Sequence, residues 1–233
     1  MLSLAWLTAM SSVNAQQPEE ARNIKVRLIC NNYAQGAQTI SLPTQDGGFE
    51  NHQLGTRYLG VAMKTSATSN LLNIYHPNSL PTPEKPAKPI ATVKIPAEGQ
   101  NFAVLLLAAK KNNPQGLSYH GVVLDMNKFS FGSSCMLNLT NKPIIMKIDG
   151  KAKALLQPGR TNVINHKLQR EERKAFVELL LPKAKRPFFS SYWNLRKDTR
   201  EINLLFVDPA TKRTKMKTIV DIKPPEVEAQ QPE

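Results

Sequence analysis

Cysteine and histidine are scarce in this chain, acidic residues are few, and no apolar run is long enough to cross a bilayer. Two cysteines and four histidines stand among 233 residues. His52, His76, His120 and His166 are scattered singly, never at HxH or HExxH spacing, and no CxxC occurs. A metal site built from paired ligands is therefore not expected, and no cofactor is expected either. Neither GxSxG nor SxxK is present, and no GxGxxG or phosphate loop occurs. The closest serine cluster, Gly132-Ser133-Ser134-Cys135, has no recognisable base partner in the sequence. Only 18 acidic residues are present and none forms an evident acid–base couple. These absences point away from an enzyme.

What is there begins with an address. Met1 to Gln16 reads MLSLAWLTAMSSVNAQ, an apolar run followed by small and polar residues. Val13-Asn14-Ala15 is the small-x-small pattern that signal peptidase cuts after, so residues 1–15 are read as a signal peptide. No Lys or Arg precedes the run, and no Cys follows the cleavage point to carry a lipid. The run is far shorter than the ~20 residues of a spanning helix. The expectation is an exported protein, periplasmic or extracellular, without a transmembrane anchor.

Charge is plentiful and unevenly placed. The chain carries 31 Lys+Arg and a net charge of +13. Residues 16–141 have a net of +4 and residues 142–223 a net of +12, while the tail 224–233 is acidic. Such a field favours anionic partners. For an exported chain these are an anionic envelope polymer or an acidic protein, with nucleic acid not expected. The bland reading is that the lysines only keep the protein soluble.

Almost everything from Ile24 to Ile222 reads as strand and turn. Thirteen candidate strands rich in Val, Ile and Leu are punctuated by Asp-Gly, Asn-Asn, Pro and Gly, which predicts an all-β fold. One segment, Gln169 to Leu181, stays open between helix and strand. A weak internal repeat suggests the plan. Phe102 to Asp125 and Ile202 to Asp221 each have an apolar strand, a polar loop and a second strand ending in Asp. Each follows, about 75 residues upstream, a strand bearing one of the two Cys. The expectation is two tandem immunoglobulin-like β-sandwiches, 24–125 and a basic 132–223, joined by a linker at 126–131. One larger sandwich is the alternative. Disorder is expected at 16–23 and 224–233, and favoured for the proline-rich loop 77–89 inside the first sandwich.

Cys30 and Cys135 both fall on apolar strand faces. In an oxidising compartment they permit one disulfide, but two separate buried thiols in two cores are the favoured reading. Asn138-Leu139-Thr140 matches the N-glycosylation sequon inside a β stretch and is read as coincidence.

The most suggestive binding constellation is Lys183 to Lys197, KAKRPFFSSYWNLRK. Phe188, Phe189, Tyr192 and Trp193 stand among Lys183, Lys185, Arg186, Arg196 and Lys197. Exposed rings stack on sugars or apolar partners while flanking cations reach carboxylates or phosphates. The competing reading has the rings plugging a core, with the bases as a solvated rim. The leading expectation is a non-enzymatic binding protein whose cationic second half engages an acidic polysaccharide or protein. In size, charge and expected architecture the chain also resembles the periplasmic pilus chaperones. It has neither their proline-pair-Arg segment nor a PxDRES-like stretch. That resemblance implies the alternative, an assembly or adaptor protein acting by strand addition.

Overall fold

A computed structural model describes residues 21–34, 37–109, 114, 116–208 and 210–224. The expected signal peptide at 1–15, residues 16–20 and residues 225–233 lie outside the described residues. The first half supplies β1 (Ala21–Cys30), β2 (Thr39–Pro43), β3 (Phe49–Gln53), β4 (Met63–Thr68), β5 (Leu71–Ile74), β6 (Ala91–Lys94), β7 (Asn101–Ala108) and β8 (Tyr119–Asp125). The second half supplies β9 (Ser133–Asn138), β10 (Ile144–Ile148), β11 (Lys151–Leu156), β12 (Thr161–Asn165), β13 (Glu172–Leu180), β14 (Phe189–Arg196), β15 (Thr199–Val207) and β16 (Thr214–Ile222). The fold is all-β and of β-sandwich type, with no helix among the described residues.

Three apolar cores lie between four layers. The hairpin β2-β3 covers one face of a six-stranded sheet ordered β6-β5-β4-β1-β7-β8. The opposite face of that sheet packs on the sheet β12-β9-β15-β16, whose own far face packs on β11-β10-β13-β14. Alternation along single strands shows why. In β7, Phe102, Val104 and Leu106 enter the first core while Ala103 and Leu105 enter the second. In β9, Cys135 and Leu137 enter the second core and Met136 the third. Strands covered on both faces read as unbroken apolar runs, which is what FAVLLLA is.

The internal repeat has a structural counterpart. β1 lies parallel to β7 with Cys30 opposite Leu106, and β7 turns into antiparallel β8. β9 lies parallel to β15 with Cys135 opposite Ile202, and β15 turns into antiparallel β16. The two cysteine strands thus occupy equivalent places.

Several expectations are corrected. Residues 21–23, expected disordered, form the start of β1 and pair with Thr68, Ala67 and Ser66. The connection 126–131 is packed and not a free linker. Met126 and Phe129 are buried in the second core, and the carbonyls of both accept hydrogen bonds from Arg200. Gln169 to Leu181 resolves as strand β13, because Ala175, Val177 and Leu179 alternate inward with period two. The proline-rich loop between β5 and β6 carries turn bonds, Ser79 N to His76 O and a reciprocal pair between Thr82 and Lys85.

The thiols of Cys30 and Cys135 are both free and buried, in the first and second cores. No bridge joins them. Burial pushes the Cys30 thiol up to about 11 and the Cys135 thiol up to about 12. Asn138 of the sequon is fully buried, and its amide nitrogen donates to the carbonyls of Lys142 and Leu156 at 2.8 Å each. That nitrogen is committed to the fold and closed to a glycan.

Candidate functional site: an aromatic and basic sheet face

β13 and β14 run antiparallel at one end of the β11-β10-β13-β14 sheet, and their alternation divides the aromatic–basic segment between two faces. Trp193 and Leu195 point into the third core, where Phe188 and Phe189 pack beside them half-buried. Three of the four rings therefore serve the core. Tyr192 lies on the other face and is 73% exposed. Its cross-strand partner is Phe176, and the two rings meet at a centroid distance of 5.1 Å with an interplanar angle of 53°. A direct cross-strand pair of this kind holds both rings with little freedom to lose on contact with a ligand.

The segment's cations divide as well. Lys183, Lys185 and Arg186 are exposed in the loop that joins β13 to β14. Arg196 closes a two-pronged pair on Asp198, at 2.9 and 2.6 Å, and Lys197 reaches Glu171 at 3.2 Å. These two are engaged by their own neighbours. In their place the fold brings Lys147 of β10, Lys153 of β11 and Lys174 of β13 to the face that carries Tyr192. Lys174 stands two positions from Phe176, and Lys147 lies opposite Glu178. Lys153 is the extra residue where the β10–β11 register shifts. Leu155, 49% exposed, and half-buried Ile145 pair opposite each other and add apolar surface. Glu172 and Glu178 are the acids of this face.

Phe176, Lys147, Lys153 and Lys174 were not singled out in the sequence. The signal that could have found them is period two itself. In Lys174-Ala175-Phe176-Val177 the small and branched residues mark the inner face, so the Lys and Phe must share the outer one.

The serine cluster has a base partner after all. Ser134 Oγ and His166 Nε2 lie 2.8 Å apart, brought together by the pairing of β9 with β12, which residue spacing does not reveal. Burial, and then the Arg173 charge, lower the His166 pKa to about 4, so the ring is neutral at pH 7. Ser134 is only 1% exposed, which keeps its hydroxyl from any substrate. No family model matches this chain, and no curated protein matches its sequence.

Proposed function

We propose that this chain is an exported, non-enzymatic binding protein built of two related β-sandwich units. Its basic second half engages an anionic polymer, an acidic polysaccharide or acidic protein segment, on the outer face of β10, β11, β13 and β14. The observation that carries the reading is the exposed Tyr192 ring, fixed against Phe176 on a face that also bears Lys147, Lys153 and Lys174. An extended polymer fits a flat sheet face, where a ring can cover one residue of the chain and lysines can meet charges on either side. The equivalent placement of the two cysteine strands supports the two-unit plan. Export rests on the N-terminal sequence.

The test is retention of purified 16–233 on immobilised polygalacturonate and heparin across a salt gradient. Retention that falls steeply with salt and is weakened by Tyr192→Ala and by Lys147→Glu with Lys174→Glu would support the reading. Retention unchanged in all these variants would sink it.

One observation favours strand addition as a second reading. β14 pairs with β13 on one side only, leaving eight residues of strand edge. Binding there would persist through high salt and would be blocked by proline at Asn194, whose N–H faces the open edge, while Tyr192→Ala would leave it intact.

A further inference from the structure

Where β12 leads into β13, the chain folds back and leaves a cleft of about 720 Å³. Its lining includes His166, Lys167, Arg170, Glu172, Arg173 and Lys174, and its size suits a small molecule. We infer that this cleft is a binding site for a phosphomonoester dianion, held by Lys167, Arg170 and Lys174.

Charge complementarity selects that ligand class. Arg173 is already paired with Asp149, whose other oxygen accepts the Phe176 amide at 2.9 Å, so this cation is neutralised in place. Lys167, Arg170 and Lys174 enter no ion pair among the described residues. Set against Glu172, they leave the cleft two positive charges in excess. A phosphomonoester carries about −1.5 to −2 at pH 7 and offers three acceptor oxygens, which matches that excess. A single carboxylate would leave one cation uncompensated. Arg170 supplies a planar fork for two oxygens, and the lysines supply point charges that can adjust around the third.

The floor of the cleft is preset. The His166 amide donates to Gly132 O at 3.3 Å and its ring is held on Ser134. Lys167 follows in a left-handed conformation (φ 48°), with its amide capped by Asn165 Oδ1 at 2.9 Å. The imidazole is thus a fixed reporter at the wall of the site. Ser134 faces it from β9, Arg173 faces it from β13, and the cleft cations stand beside it.

The inference is independent of the polymer reading, because the cleft and the Tyr192 face share only Lys174 and Glu172, and Tyr192 itself lies outside the cleft. It is tested by titrating the whole chain with inorganic phosphate and, separately, methyl phosphate, following the imidazole signals of all four histidines by NMR. Sodium chloride at equal ionic strength is the control. The expected result is a saturable shift of His166 with both phosphates, with His52, His76 and His120 unmoved. Tighter binding of methyl phosphate would identify an ester on a larger molecule as the source, and equal binding would identify free phosphate. Arg170→Ala should weaken binding roughly tenfold, and Glu172→Gln should strengthen it; both residues are exposed, so folding is retained. Tyr192→Ala should leave the affinity unchanged. A linear drift of all four histidines, no movement of His166, or full affinity in Arg170→Ala would overturn the inference.

Discussion

Arg27 and Asp221 lie 194 positions apart in the sequence and meet at 2.8 Å, the guanidinium of β1 on the carboxylate of β16. The same carboxylate oxygen takes Arg200 Nε, also at 2.8 Å. Arg200 in turn stacks over Phe131 at 4.3 Å and is held by the carbonyls of Met126 and Phe129. One acid therefore ties the first half, the second half and the connection between them. A parallel bridge from Tyr58 to Val220 and a bond from Lys217 Nζ to Asn31 O at 2.9 Å run alongside.

Asp221→Ala removes the shared partner and strands Arg200, which is 8% exposed, without a counter-charge. Losing one member of a buried pair costs about 3–5 kcal/mol. Arg27→Ala should cost clearly less, since the Arg27 side chain keeps 27% exposure and Asp221 keeps Arg200. Urea midpoints of the two variants test the order, and equal midpoints would remove Asp221 from the centre of the clamp.

How far the fold was legible depends on which strand is considered. β7 and β15 announce themselves, because strands buried on both faces leave continuous apolar runs. β3, reading FENHQ, does not announce itself, because Phe49 is its only apolar residue and no apolar alternation marks a buried face. β11, reading KAKALL, is equally silent, because Lys and Ala carry little strand propensity and its pairing with β10 supplies what propensity does not. The site was half legible. Composition found the aromatic–basic segment, but cross-strand pairing decides which ring meets solvent, and Phe176 lies sixteen positions from Tyr192. Ser134 and His166 were invisible as a pair for the same reason.

The six-stranded sheet curls until its end strands meet, with Tyr119 N donating to Ile90 O at 3.0 Å. Gly121 permits the approach. A Cβ there would stand 2.4 Å from Val93 Cγ2 and 2.8 Å from Cγ1. Gly121→Ala should therefore destabilise by about 1–3 kcal/mol through overpacking. Adding Val93→Ala should recover part of that loss, giving a coupling of about 1 kcal/mol or more in a double-mutant cycle. Strictly additive effects on the urea midpoint would mean that the contact carries no strain.

The thiols set an alkaline limit. Their folded pKa values, about 11 and about 12, lie above the ordinary value, so the folded state holds its protons where the unfolded state has released them. Their contribution is complete below the unfolded pKa and is lost as pH rises from there through 11 and 12. At pH 8 in native buffer neither thiol should react with a maleimide, and both should react in denaturant. Rapid native labelling at either position would contradict the burial that raises them.

His166 sets an acid limit of opposite sign. Burial and Arg173 lower its folded pKa to about 4, against an ordinary 6.5. Between these values the unfolded state binds more protons, so stability is lost as pH falls through the window. His166→Gln should flatten that part of the stability–pH curve. An unchanged slope would show that other groups carry the acid sensitivity.

Tyr192 and Trp193 are neighbours in sequence with opposite duties, and this gives the sharpest check on the site. Trp193 is 8% exposed and packs in the third core, so Trp193→Ala should cost about 3–5 kcal/mol. Tyr192, 73% exposed, gives up only its contact with Phe176, and Tyr192→Ala should change stability by about 1 kcal/mol or less. Polymer retention should respond in the reverse order. It should drop in Tyr192→Ala while the urea midpoint holds, and in Trp193→Ala it should fall only as folded protein is lost. If retention instead tracks the midpoint in both variants, the exposed ring contributes nothing to binding, and the lysines of the face act alone.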